Sequence, residues 1–180
     1  LRYSLNIFHY TWKDIILFVP GAGGNTAQNV GKQKGKGLEF ELNWHLDNNL
    51  TLLSSYAFQK STNKLSDDDA GRSPQHQIGL NLHYTINNQW QLNSQFNWVM
   101  DRARQPGDTR SDIDDYRLVD INTAYQLSNN INIRLSVKNI FDSDAREPSP
   151  LGSPTASIPN DLPLAGRSVE LTLRYQFASN

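Results

Sequence analysis

Three arginines in one polar stretch, Arg102, Arg104 and Arg110, are the side chains of this chain that could grip an anionic ligand. A guanidinium offers a planar fork of N–H donors that matches carboxylate and phosphate geometry. Arginines in an exposed loop also serve simply as solvated charge. The run Asp67-Asp68-Asp69 could supply oxygen ligands to Ca²⁺, and more commonly such a run is a solvated loop. Glu39 and Glu41 lie two residues apart and could pass for an acid/base pair; a hydrogen-bonded polar wall explains them better. His9, His45, His76 and His83 show no metal-ligand spacing. Gly21-Ala22-Gly23-Gly24 lacks the Lys-Ser/Thr and the helix of a phosphate loop. The chain has no cysteine, which removes disulfides, thiolate metal sites and cysteine nucleophiles together. No Ser/His/Asp set stands out. Strands can still bring a triad together from distant positions, so these residues leave an enzyme open; the expectation is no enzyme, no cofactor and no metal site.

The elements that hold these residues are strands. Near the end of the chain Ile131, Ile133, Leu135 and Val137 alternate with Asn132, Arg134, Ser136 and Lys138. Val169, Leu171, Leu173, Tyr175 and Phe177 alternate with Glu170, Thr172, Arg174 and Gln176. Side chains of a strand point to opposite faces with period two, so each strand has one apolar and one polar face. The same pattern marks Leu38 to Leu46, Leu50 to Phe58, Ile78 to Ile86, Trp90 to Met100 and Val119 to Leu127. The first stretch, Leu1 to Val19, is aromatic but out of phase. Tyr3, Leu5 and Ile7 share one face and Phe8, Tyr10 and Trp12 the other, so either both faces are buried or a β-bulge separates Ile7 from Phe8. Pro20 to Asn29 reads as a loop by composition.

About eight strands of roughly 9–11 residues result, the length a tilted strand needs to cross a bilayer. Their connections alternate in length. Asp47-Asn48-Asn49, Asn87-Asn88-Gln89 and Ser128-Asn129-Asn130 are tight-turn sequences. Pro20 to Asn29, Lys60 to Gln75, Asp101 to Asp115 and Ser143 to Gly166 are long, and the last holds Pro148, Pro150, Pro154, Pro159 and Pro163. Gly71 and Pro74 keep helix out of the second. The fold class is all-β: an antiparallel up-and-down meander of about eight strands, part of a transmembrane β-barrel. Short turns at one end and long loops at the other are the habit of outer-membrane barrels. Trp44, Tyr84, Trp90 and Tyr125 near the short turns, with Phe58 and Trp98 near the long loops, suit two interfacial girdles.

Net charge is −1, which gives no pull toward nucleic acid. Mean hydropathy is −0.60, but only alternate residues of a barrel strand meet lipid. The opposite face, with Glu39, Glu41, Asn43, Asn81, His83, Asn93, Asp120, Arg134 and Glu170, is too polar for a dry core and suits a wet interior.

Several short motifs, in order, resemble the C-terminal part of TonB-dependent outer-membrane receptors. They are Phe8-His9-Tyr10 with Asp14-Ile15, Asn29-Val30-Gly31-Lys32, Gly37-Leu38-Glu39, and Pro74-Gln75-His76-Gln77. Then come Tyr116-Arg117-Leu118-Val119-Asp120, Val137-Lys138-Asn139-Ile140-Phe141-Asp142, Gly166-Arg167-Ser168 and the closing Tyr175-Gln176-Phe177. The sequence departs from that pattern in Ile140, where Leu is usual, and in Ala178-Ser179-Asn180 after the terminal aromatic.

The resemblance implies a barrel of roughly twenty-two strands around an N-terminal plug. It implies residence in the outer membrane of a Gram-negative bacterium and import of a ferric siderophore, cobalamin or glycan. Energy would come through TonB, contacted by an N-terminal region. Residues 1–180 would be the C-terminal portion of the barrel, with plug and N-terminal strands absent. The chain opens at Leu1 with no signal-peptide pattern, and a piece of a longer polypeptide is expected. The expected partners are outer-membrane lipid, TonB and an extracellular nutrient ligand held by Arg102, Arg104 and Arg110. The alternative is a complete small eight-stranded barrel acting as anchor, adhesin or enzyme.

Overall fold

The computed structural model describes residues 1–21, 24–70, 73–104, 107–149 and 160–177. Ala22-Gly23, Gly71, Pro150, Pro154, Pro159 and Ala178-Ser179-Asn180 lie outside the described residues.

Seven strands come first: β1 (Arg2–Gly21), β2 (Gly24–His45), β3 (Leu50–Asn63), β4 (Pro74–Thr85), β5 (Trp90–Arg102), β6 (Tyr116–Ser128) and β7 (Ile131–Lys138). A two-residue ladder of β8 (Arg146–Glu147) and β9 (Leu162–Pro163) follows inside the last loop, then β10 (Ser168–Tyr175). The main sheet has eight strands in the order β1-β2-β3-β4-β5-β6-β7-β10, every pair antiparallel. It is the meander read from the alternation. It does not close: β1 and β10 are its two edges.

Register carries the apolar face unbroken across the sheet. Ile7 stands opposite Leu38, and Leu38 opposite Phe58. Further along, Leu52 faces Leu82, Leu80 faces Phe96, Phe96 faces Val119, Ile121 faces Val137 and Val137 faces Val169. A slip of one residue anywhere would put these side chains on the polar face. Among the described residues no second layer covers them. Val99 and Ala145 are the buried hydrophobic residues among those described, while Leu5, Ile7, Leu171 and Leu173 are more than half exposed. An apolar face of this extent without a core beneath it needs an apolar medium or partner.

The tight turns follow from side-chain chemistry. Asp47 Oδ1 accepts from the N–H groups of Asn49 (2.6 Å) and Leu50 (2.8 Å). Asn87 repeats the device with Gln89 and Trp90, both at 2.9 Å. A short Asx side chain mimics a backbone turn in this way, which is why these residues sit there.

Three expectations need correction. The bulge lies between Trp12 and Ile15, not between Ile7 and Phe8, and the chain bends there through Asp14 at φ 58°. Phe8, Tyr10 and Trp12 therefore stay in register on the polar side of β1 (Phe8↔Gly37, Tyr10↔Gly35, Trp12↔Gln33). Phe8 and Tyr10 fit because Gly37 and Gly35 have no side chain: a Cβ at either would overlap the Phe8 or Tyr10 ring. Second, Pro20 to Asn29 is largely not loop. Strand pairing runs from Ile16↔Asn29 to Gly21↔Gly24, and Gly24 takes φ 111° at the tip. Third, β1 and β2 have 20 and 22 residues, well beyond the expected length, because this hairpin continues past the end of the other strands.

Candidate functional site

The long-loop end of the sheet holds the three arginines. Arg102 is the last residue of β5 and forms an ion pair with Glu147 of β8. Tyr116, the first residue of β6, donates its hydroxyl to the same Glu147 at 2.9 Å. The β5–β6 loop is thus tied at both ends to the segment before β10.

Arg104 is nearly buried, with 7% of its side chain exposed. It grips Asp161 with both terminal nitrogens, Nη1 to Oδ1 at 2.8 Å and Nη2 to Oδ2 at 2.6 Å. Its Nε donates to the Ser111 carbonyl at 2.6 Å, which closes its own loop. Arg110 donates Nη2 to Asp108 Oδ2 at 2.6 Å and reaches Ser149 at the hydroxyl (2.8 Å) and the carbonyl (2.9 Å). Ser149 in turn donates its N–H to Asp161 Oδ1 at 3.0 Å. Two loops far apart in sequence become one charged cluster with matched donors and acceptors.

The electrostatics follow from those pairs. The hydrogen bond from Arg104 holds the Asp161 carboxyl well below the usual carboxylate range, against the opposing effect of burial. The hydrogen bond from Arg110 lowers Asp108 to about 2, again against burial. Arg104 and Arg110 are raised by the hydrogen bonds to Asp161 and Asp108. Arg104, Asp108, Arg110 and Asp161 are all charged at neutral pH.

Beside this cluster lies an open cleft of about 580 Å³, lined by Arg104, Arg110, Asp112, Asp114, Arg146 and Asp161 among others. Arg104 and Arg110 therefore meet in one place, as their shared loop implied. Arg102 stands apart, on Glu147. Arg146, which sequence reasoning passed over, lies on the cleft, paired with Asp144 at 3.1 Å and partly exposed. The cleft presents polar and charged groups of both signs.

The other candidates separate. Asp67 pairs with Lys64 at 2.7 Å, and Asp69 accepts from Gln75 at 3.3 Å. Glu39 accepts from Asn6 (3.1 Å) and Glu41 from Ser4 (3.3 Å) across the β1–β2 pair, as members of a hydrogen-bonded polar face. His76 Nδ1 meets the Tyr56 hydroxyl at 2.8 Å near the long-loop end, while His45 meets Thr51 at 2.9 Å beside a short turn. Aromatic contacts lie at both ends of the strands. Trp90 stacks on Tyr125 at 4.4 Å at the short-turn end. At the other end Arg117 lies 4.4 Å over the Trp98 ring and Phe58 packs on His76 at 4.9 Å.

Comparison with known proteins supplies the lineage. Residues 1–140 match the family model described as TonB dependent receptor-like, beta-barrel. An uncharacterized TonB-dependent receptor of Haemophilus influenzae is 31% identical over 93 residues, 48% of this chain and 27% of the relative. The metal-pseudopaline receptor CntO of Pseudomonas aeruginosa is 24% identical over 151 residues, 79% of this chain and 21% of the relative. In solved structures, the ferripyoverdine receptor of P. aeruginosa superposes with a TM-score of 0.74 at 19% identity, over 97% of this chain and 25% of that one. The copper transporter OprC superposes at 0.68 with 20% identity, over 97% of this chain and 28% of that one. The sequence thus spans about a quarter of the length of the relatives it matches.

Proposed function

The chain belongs to the TonB-dependent receptor β-barrel family, and from that premise we propose that it is the C-terminal wall of an outer-membrane receptor that imports a scarce metal chelate with TonB-derived energy. The carrying observation is the apolar face that register keeps continuous from Ile7 on β1 to Val169 on β10, exposed on the two edge strands, half-buried between them and without a core among the described residues. Lipid is the medium that such a face fits. The polar face looks inward to a wet, plugged interior, and strands absent from this sequence complete the barrel beyond β1 and β10.

The substrate class rests on the relatives, whose names include receptors for metal-pseudopaline and ferripyoverdine and a copper transporter. Ligand contact falls to the long loops. Arg104 and Arg110 border the cleft, while Arg102 anchors the loop through Glu147. Charged groups of both signs suit a chelate that carries carboxylates and amines around its metal. Plug and TonB contact belong to the remaining length.

The test is growth of a strain deleted for the whole locus, starved of metal and fed single chelates. Loss of growth on one chelate, restored by the intact gene only when TonB is present, is the expected result. Equal growth of deletion and parent on every chelate contradicts the reading.

A further inference from the structure

Within β2 the residues 31–37 read Gly-Lys-Gln-Lys-Gly-Lys-Gly. Alternation puts Lys32, Lys34 and Lys36 in phase with Leu38, Phe40 and Leu42, so the lysines continue the apolar face toward the long-loop end. Register adds basic side chains from both neighbours. His9 of β1 stands opposite Lys36, and Lys60 of β3 stands opposite it on the other side. Thr11 and Thr62 flank Lys34 in the same way. His9, Lys34, Lys36, Lys60, Thr62 and Lys64 line one open depression of about 350 Å³.

The patch is electrostatically unbalanced. Lys36 and Lys60 oppose each other directly, an arrangement that destabilises a sheet unless something neutralises it. Among the described residues Lys34, Lys36 and Lys60 form no salt bridge, while Lys64 pairs with Asp67. Asp69 lies at the loop border opposite Thr62 and is engaged by Gln75. Lys36 is two residues beyond Leu38, about 7 Å along the strand from the last aliphatic side chain of that row. Lysine stems can lie along the apolar surface while their ammonium groups reach the headgroup level.

We propose that Lys34, Lys36 and Lys60, with His9, bind the phosphate groups of a phosphorylated lipid of the outer leaflet whose acyl chains lie on the apolar band below. The site rests on the membrane reading above. Its two halves are continuous: an apolar surface of Ile7, Leu38 and Phe58, then a row of ammonium groups spaced along and across strands. A multivalent anion with an apolar tail complements both, and a soluble anion only one.

The experiment uses the intact receptor that carries this sequence, placed in phosphatidylcholine nanodiscs doped with diphosphoryl lipid A. Native mass spectrometry reads the lipid retained. Each lysine removed should weaken retention about fivefold, so K34Q/K36Q/K60Q should lose most of it, and the matching Lys→Arg variant should keep it. Lys138→Gln, on the polar face, should change nothing. Equal retention by parent and Gln variant overturns the site, as does an equal loss with Lys138→Gln. Binding of soluble pyrophosphate that matches lipid A and shows the same Gln dependence overturns the lipid assignment. Failure of the parent receptor to enter nanodiscs sinks the membrane reading itself, a result distinct from all of these.

Discussion

The backbone N–H of Asn139 donates to Asp120 Oδ1 at 2.8 Å, so β6 caps the chain where β7 ends. Asn139 is buried and sits at φ 47°, a left-handed conformation that Asn tolerates better than most residues. Its side chain holds the next turn: Nδ2 donates to the carbonyls of Ser143 (3.0 Å) and Ala165 (3.2 Å), and Oδ1 accepts from the Ser143 N–H (2.9 Å). Asn139→Leu loses all three bonds and strands buried polar groups. The expected destabilisation is about 2–3 kcal/mol, read as a lower urea midpoint of the intact protein in detergent micelles. Asn139→Gly relieves the backbone but not the bonds and should fall between. An unchanged midpoint for Asn139→Leu contradicts this.

The Arg104–Asp161 pair makes loop docking depend on acid. Asp161 and Asp108 are both more acidic when docked than when free. The stabilisation they provide is therefore complete above about pH 4, the ordinary aspartate range. It fades as pH falls toward the docked values, with Asp108 at about 2. Amide exchange around Ser149 and Asp161 should be slow at pH 5 and, after correction for intrinsic rates, markedly less protected near pH 2.5. Asp161→Asn should show the low-pH behaviour already at pH 7. Protection that is the same at both pH values sinks the idea.

Tyr10 lies over Gly35 with its hydroxyl bonded to Gln33 (2.9 Å) and Ser61 (3.3 Å). Gly35→Val forces the ring away and should cost about 1–3 kcal/mol. Tyr10→Ala in the Gly35→Val background makes room and should recover part of the loss. Additive destabilisation in the double variant means that the ring and the glycine are not coupled.

The free edges of β1 and β10 leave rows of backbone groups unpaired. In hydrocarbon each such group costs several kcal/mol. Residues 1–180 expressed alone should therefore not insert into liposomes as a heat-resistant monomer, whereas the intact receptor should. A stable monomeric band from the isolated segment contradicts an open wall and favours a self-closing small barrel.

Strand phase was legible because the two faces differ at nearly every position, as in Ile133-Arg134-Leu135 or Leu171-Thr172-Leu173. The tight turns were legible from Asp47 and Asn87, whose chemistry is local. The aromatic first strand was not. Phe8, Tyr10 and Trp12 read as a phase error because the sockets of the first two, Gly37 and Gly35, are supplied by the next strand. Pro20 to Asn29 misled because a glycine-rich composition is shared by loops and by the tip of a long hairpin. The arginine pairings were invisible for the same reason as the Asp120–Asn139 cap. Arg104 and Asp161 are 57 residues apart, and no periodicity links them. The lysine row of β2 was in plain view as an alternation, but its meaning needed the register that sets Lys60 opposite Lys36.

The most direct test of a wall between lipid and water exploits the absence of cysteine. Ile121 and Asn122 are neighbours on β6, and their side chains belong to opposite faces: Ile121 opposes Ser94 and Val137, Asn122 opposes Asn93 and Ser136. A spin label on a single cysteine at each position, in the intact receptor in liposomes, reports its solvent by collision. The label at residue 121 should relax with dissolved oxygen and ignore a water-soluble nickel chelate, and the label at residue 122 should do the reverse. If position 121 meets the chelate while 122 meets oxygen, or if both see the same medium, the apolar face does not front the bilayer.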